Sequence, residues 1–249
     1  MTARHSGVRD VIAYNWPQYA TGLATALAAA TVAGRLPPTL RRLARVGSAA
    51  AVTLLGTATA ASWYVYDYSD LYTYDWLAEL LPATPSSYVV VSTGLDEVSA
   101  PLAERWPTAR HTAVDLYDPA LTDEGSVRRA RRRVKPPVHA VPGRPEELPL
   151  PSGGADAVLL VFAAHELRRE RDREQLFTEC VRLLRPGGTL LLAEHLRDIP
   201  NKAVFGPGAW HFLPRAEWLR LAAYAGLRPT AERRIAHLVT AFAFTKGQV

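Results

Sequence analysis

An aspartate, a glycine and three histidines carry most of the chemistry this sequence offers. Asp115 closes a short run, His111-Thr112-Ala113-Val114, that reads as a strand, and it follows Gly94 by roughly twenty residues. A carboxylate at a strand tip can accept hydrogen bonds from both hydroxyls of a ribose, while a glycine after the preceding strand lets a ligand approach the backbone. Acidic residues at strand ends are also ordinary, so the pair alone is a weak signal. His165, His195 and His211 fall just after strands or on a loop. Imidazole exchanges protons near neutral pH, so each is a candidate general base, and each equally well props its loop by hydrogen bonding. His211 lies between Asn201 and Pro214, where Phe205, Gly206, Pro207, Gly208 and Trp210 suit either a mobile apolar cover or an ordinary surface loop. The histidine spacings match no common ligand pattern, so no metal site is expected.

These residues need a scaffold, and from residue 88 onward strand and helix patterns alternate. Tyr88–Val91, His111–Asp115, Val138–Val141, Ala155–Phe162 and Thr189–Glu194 read as strands; Glu97–Trp106, the arginine-rich stretch before Pro136, Arg169–Leu184 and Arg215–Ala225 read as helices. Two closing strands follow, Glu232–Ala236 and Val239–Thr245. The alternation predicts a Rossmann-like, doubly wound α/β fold with a mostly parallel seven-stranded sheet. Such sheets bind ligands beyond the carboxyl ends of their strands, where strand order reverses, and that edge holds Gly94, Asp115, His165 and His195.

Several stretches together resemble the class I methyltransferases that use S-adenosyl-L-methionine (SAM). They are Val141-Pro142-Gly143-Arg144-Pro145 through Leu150, Ala155 through Leu167, Glu179 through Leu190 with its Arg185-Pro186-Gly187-Gly188 turn, Ala193-Glu194-His195, and Phe212-Leu213-Pro214 through Leu227. The similarity runs over residues 86–246, and the last two of these stretches are also similar to members that methylate small molecules and quinones. It implies SAM as cofactor. Ser92, Thr93 and Gly94 would lie along its methionine end with Asp96 or Glu97 on its amino group, Asp115 and Leu116 at the ribose, and Arg144, Pro145 and Phe162 on the adenine side. His165, His195 and His211 would be the candidate bases. The first motif departs from the family's: Ser92-Thr93-Gly94-Leu95 holds one glycine, and side chains at Ser92 and Leu95 crowd the usual approach. A member of the fold that binds without catalysis, or one that catalyses a cyclisation or decarboxylation, stays open beside methyl transfer. A nicotinamide dehydrogenase is disfavoured, because no Gly-x-Gly-x-x-Gly turn opens the first helix.

The N-terminal third has a different character. No charged residue occurs between Asp10 and Arg35, nor between Arg45 and Asp67, and each gap exceeds twenty residues. Pro37 and Pro38 separate the two apolar runs, so residues 1–66 read as a helical hairpin serving as a membrane anchor or as a soluble lid. Tyr14, Trp16 and Tyr19 open the first run, and Trp63, Tyr64, Tyr66 and Tyr68 close the second. In a hairpin they meet as an interfacial aromatic belt. Residues 67–87 read as a linker with a short amphipathic helix, and 88–249 as the methyltransferase-like domain. Expected partners are a membrane and a small lipophilic acceptor methylated on oxygen or carbon, with the catalytic domain in the cytoplasm. Against that orientation stand Arg35, Arg41, Arg42 and Arg45 in the connecting turn, which the positive-inside rule would place in the cytoplasm instead.

Composition narrows the remaining classes. The chain is 48% hydrophobic and 21% charged, which excludes global disorder. Its single cysteine, Cys180, excludes an intrachain disulfide framework. The net charge of +5 is concentrated in Arg128, Arg129, Arg131, Arg132, Arg133 and Lys135. This reads as a solvated helix face or a contact for anionic lipid; no aromatic residues interleave with the arginines, so nucleic acid is not an expected partner.

Overall fold

The computed structural model describes residues 7–120 and 124–248. The start of the expected hairpin, with His5, lies outside these residues. Three helices come first, α1 (Gly7–Tyr14), α2 (Trp16–Ala33) and α3 (Pro38–Trp63). Prolines occupy the first turns of α2 and α3, where a missing N–H costs nothing. The helices pair as an antiparallel hairpin. Tyr19 shares a hydrogen bond with Thr59 (3.1 Å), and the Ser48 hydroxyl donates to the Ala26 carbonyl (3.0 Å).

The last turn of α3 widens into a π-helical segment, Tyr64–Tyr68. That extra residue per turn rotates Tyr66 away from exposed Tyr64 and Tyr68 and into the protein. The aromatic belt therefore loses Tyr66, and it also loses Tyr14, which is buried. The expected linker is a wall of the core rather than a tether. A 3-10 turn, Leu71–Thr73, and a short helix, α4 (Leu77–Leu80), bury Leu71, Tyr74, Trp76, Leu77 and Leu80 against the sheet.

The remaining elements follow as β1 (Ser87–Ser92), α5 (Ser99–Arg105), β2 (Arg110–Asp115), α6 (Gly125–Arg133), β3 (Val141–Pro142), β4 (Ala155–Val161), α7 (Glu170–Leu183), β5 (Leu184–His195), α8 (Ile199–Phe205), α9 (Arg215–Tyr224), β6 (Leu227–Ile235) and β7 (Val239–Lys246). Seven strands form one sheet in the order β3-β2-β1-β4-β5-β7-β6, parallel except at β7, which runs antiparallel to both neighbours. The fold is the Rossmann-like α/β class expected, and strand order reverses between β1 and β4.

Both faces of the sheet are buried, so β4 is continuously apolar from Ala157 to Val161 rather than alternating. Val158 and Leu160 join Leu176, Phe177 and Trp218 of α7 and α9 on one side. Ala157 and Leu159 meet Val90, Leu102 and the wall around Trp76 on the other.

Three strand starts shift most from the sequence reading. β3 is only two residues long, because the chain leaving Pro136-Pro137 keeps Val138 in solvent, 93% exposed. β5 begins at Leu184, so Arg185-Pro186-Gly187-Gly188 is an irregular strand entry with Gly187 at φ +73° and the register shifting between Ala155 and Ala157. β6 starts at Leu227, with a second irregularity between Pro229 and Ala231.

The hairpin packs on the α/β body through α3 and α8, where the Thr57 hydroxyl donates to the Val204 carbonyl (3.2 Å), and through α1 and α6, where Arg129 donates to the Tyr14 carbonyl. Its outer faces stay apolar and open, with Trp16, Leu23, Leu27, Leu43 and Val46 all exposed. Among the described residues one helical stretch, Pro38–Thr73, is long and apolar enough to cross a membrane, at a mean hydropathy of 1.2.

Candidate functional site

Parallel pairing of β1 with β2 sets Ser92 beside Asp115 and so brings the Gly94 turn to the aspartate. The Leu116 N–H donates to the Ser92 carbonyl (2.8 Å), and the Gly143 N–H to the Asp115 carbonyl (3.0 Å). Residue 143 must be small, since a Cβ there would lie 2.6 Å from Val114 Cγ1. Asp115 is 7% exposed, and both of its oxygens are engaged. Oδ1 accepts the Tyr117 N–H (3.0 Å), and Oδ2 pairs with Arg131 Nη1 of α6 at 2.5 Å. The Arg131 guanidinium also lies over the Tyr117 ring, 5.0 Å from its centroid. Gly94 has φ +107°, and its open face is covered: a Cβ there would stand 2.8 Å from Tyr117 Cδ2 and 3.0 Å from Val127 Cγ1.

The other expected ligand contacts sort differently. Ser92 and Thr93 are buried, and the Thr93 hydroxyl ties the turn to the Ala163 carbonyl (3.2 Å). Asp96 is not directed at a ligand. Its carboxylate caps α5, accepting the N–H groups of Val98 (2.9 Å) and Ser99 (2.8 Å) and the Ser99 hydroxyl (2.6 Å). Glu97 accepts the Tyr72 hydroxyl (2.7 Å). Arg144 is exposed and Pro145 half-buried, on a turn closed by paired backbone hydrogen bonds between Arg144 and Glu147.

Phe162 and His195 form a second focus at the ends of β4 and β5. Phe162 holds φ +51°, an uncommon backbone conformation for an aromatic residue, fixed by its N–H to the Ala193 carbonyl (2.9 Å). Its ring stacks on one face of His195 (5.3 Å) and Phe212 stacks on the other (4.9 Å). His195 Nδ1 faces the Leu238 carbonyl (3.0 Å), which can only accept, so Nε2 is left to accept the Tyr66 hydroxyl at 2.8 Å. Burial favours the uncharged ring and lowers its pKa to about 4. His195 is therefore neutral at physiological pH, with both nitrogens occupied.

His165 and His211 make a third group. His165 Nδ1 meets Glu194 Oε2 at 2.6 Å and its Nε2 meets Glu166 Oε1 at 3.1 Å. Burial opposes charging this ring, but the two carboxylates outweigh it and raise its pKa to about 10. Burial likewise works against an ionised Glu166, but His165 overrides it and holds that carboxyl well below the usual range. His165 is thus an imidazolium between two carboxylates, not an unoccupied base. His211 is the most accessible of the three, with its ring edge-on to His165 at 5.2 Å.

Comparison with known proteins finds similarity to methyltransferases. The methyltransferase domain family profile covers residues 89–192, from β1 into β5. A protein of Mycolicibacterium smegmatis named "Probable S-adenosylmethionine-dependent methyltransferase" is 37% identical over 86 residues, which are 34% of this chain and 30% of that one. The ubiquinone/menaquinone biosynthesis C-methyltransferase UbiE of Vibrio campbellii is 34% identical over 80 residues, covering 31% of this chain and 30% of the relative.

Over residues 89–192 the chain is similar to SAM-dependent methyltransferases.

The sequence match spans about 30% of the length of those two relatives. Solved structures add the fold. A SAM-dependent methyltransferase from Aquifex aeolicus aligns over 78% of this chain and 97% of its own with a TM-score of 0.52 at 16% identity. The pyocyanin biosynthetic protein PhzM aligns over 87% and 61%, with a TM-score of 0.52 at 15% identity.

The similarity implies SAM as cofactor, and Asp115 and Gly94 lie at the carboxyl edge of the sheet beside the reversal of strand order, where sheets of this kind bind ligands. The side chains as arranged here do not accommodate it. Arg131 holds the carboxylate that would grip the ribose, and Tyr117 with Val127 covers the glycine. Tyr66, Tyr117, Arg131 and Glu194 were not singled out as site residues from sequence. Arg131 was one charge within a basic run, and Tyr66 one ring in an aromatic series. Only Glu194 carried a usable signal, standing beside His195 at the end of a buried strand.

Proposed function

We propose that this methyltransferase-family chain transfers a methyl group from SAM to oxygen or carbon of a small, lipophilic acceptor, working at a membrane surface. The carrying observation is the placement of Asp115 beside the Gly94 turn, at the point of the sheet where strand order reverses. Binding requires Arg131 to leave Asp115, a rotation of one partly exposed side chain on α6. An aromatic surround of Tyr66, Phe162, Phe205 and Phe212 supports an apolar acceptor. The exposed apolar faces of α2 and α3 support a hairpin lying in or on lipid.

Titration of the detergent-solubilised full chain with S-adenosylhomocysteine tests this reading. Measurable binding in the wild type, tightened in Arg131→Ala and lost in Asp115→Asn, is expected. No heat and no thermal shift in either the wild type or Arg131→Ala would remove the enzymatic reading. That result would favour a second one, a binding member of the fold whose nucleoside position is permanently filled. The Asp115–Arg131 pair is the observation behind this alternative.

A further inference from the structure

We propose that His165, Glu166 and His211 form a binding site for a divalent transition-metal ion. The two histidines are 46 positions apart, which is why their spacing carries no motif. The fold brings them together: His165 and Glu166 occupy the 3-10 turn Ala164–Glu166 that follows β4, and His211 ends a second 3-10 segment, Gly206–His211. Glu166 Oε1 stands 3.1 Å from His165 Nε2 and 3.9 Å from His211 Nε2, and one ligand atom from each of the three residues falls within 4.8 Å of the others. An ion with bonds of about 2.0–2.2 Å holds neighbouring ligand atoms roughly 3–4 Å apart, so only small side-chain adjustments are needed to close the shell.

Surrounding groups are arranged as a metal site requires. Glu194 accepts the backbone N–H of Ala164 (3.1 Å) and of His165 (3.3 Å) on Oε1, and its Oε2 meets His165 Nδ1 at 2.6 Å. A fixed carboxylate on Nδ1 sets the ring orientation, the usual outer support of a ligating histidine, and an ion binding at Nε2 displaces the proton that this nitrogen shares with Glu166 and releases it to solvent. Glu166 Oε2 is buried and has no hydrogen-bond partner among the described residues. A coordinated ion, or a water bound to one, gives that oxygen a partner. Around His211, Nδ1 lies 3.0 Å from Arg168 Nη2 and 3.6 Å from Glu124 Oε1. Ligation through Nε2 makes Nδ1–H a donor to Glu124, and Arg168, with its Nε 3.5 Å from the same Glu124 oxygen, turns to that carboxylate.

Two imidazoles and one carboxylate select a borderline ion such as Zn2+ or Co2+ over Mg2+ or Ca2+, which prefer all-oxygen shells. Three protein ligands leave at least one coordination position for water or another oxygen ligand. The Thr93 hydroxyl bond to the Ala163 carbonyl ties this cluster to the Gly94 turn, on the same edge of the sheet.

Calorimetric titration of the chelator-treated full chain with ZnCl2, in the absence of any nucleoside, tests the proposal independently of SAM binding. One Zn2+ per chain is expected, with Co2+ giving visible d–d bands at the same stoichiometry. His211→Ala should weaken Zn2+ binding at least about tenfold and bleach the cobalt spectrum, and Glu194→Gln should weaken it by about 10- to 100-fold. His211 is partly exposed, so its alanine variant should keep its fold, checked by far-UV circular dichroism, and His111→Ala should bind as the wild type does. No stoichiometric Zn2+ uptake by the wild type, or uptake unchanged in His211→Ala, overturns the site.

Discussion

The hydroxyl of Tyr66, carried at the end of the N-terminal hairpin, donates to His195 Nε2 at the tip of β5 over 2.8 Å. This bond joins the appended helices to the carboxyl edge of the sheet, where family members bind their ligands. The hairpin is therefore part of the wall around His195 at that edge.

Tyr66→Phe should destabilise the protein by about 1–3 kcal/mol, because it leaves a buried ring nitrogen without its donor. Chemical denaturation compared with the wild type measures this; an unchanged midpoint would show that water replaces the hydroxyl.

His195 should show no titration in NMR above about pH 5. Its folded pKa lies near 4, below the ordinary histidine value of about 6.5 in the unfolded chain. The neutral ring thus contributes stability that is present above pH 6.5 and lost as pH falls toward 4, on the order of 3 kcal/mol. A His195 resonance titrating near pH 6.5 would contradict the sandwich between Phe162 and Phe212.

Arg131→Ala should trade stability for affinity. Removing the guanidinium leaves the buried Asp115 carboxylate with one fewer partner and should cost about 1–3 kcal/mol in the ligand-free protein. Added S-adenosylhomocysteine should restore the melting temperature more in this variant than in the wild type. Equal shifts in the two would mean that Arg131 does not compete for the site.

Gly143→Ala should destabilise by about 1–3 kcal/mol through overlap with Val114, a stiff β-branched residue inside the sheet. Thermal melting of the variant and of a Gly143→Ala/Val114→Ala pair checks the cause, since trimming Val114 removes the clash and should recover part of the loss.

Membrane association should depend on the outer faces of the hairpin. Leu27 and Leu43 are exposed at 67% and 63%, so Leu27→Asp/Leu43→Asp should leave the fold intact while moving the protein from the membrane fraction to the soluble one. Liposome flotation reads the change, and an unaltered distribution would argue that the hairpin's apolar faces do not contact lipid.

Much of the α/β body was legible because periodicity and punctuation are local. The continuous apolar run of β4 requires burial on both faces, Pro136-Pro137 ends the basic helix, and Asp115 and Gly94 fall at strand ends by counting alone. The charge-free stretches of 11–34 and 46–66 likewise declared two apolar helices joined by a proline turn. What each polar side chain touches was not local. Asp96, read as a ligand contact, is consumed by its own helix cap, and Asp115 is held by an arginine sixteen positions away. The π-helical widening after Trp63 reversed the role of Tyr66, turning it from an interfacial ring to a partner of His195. The His165–Glu166–His211 cluster exists because two loops converge over the ends of the strands. Periodicity determines which face of an element is apolar; the identity of a buried polar partner depends on the loops that close over it, and those are set by packing of the whole chain.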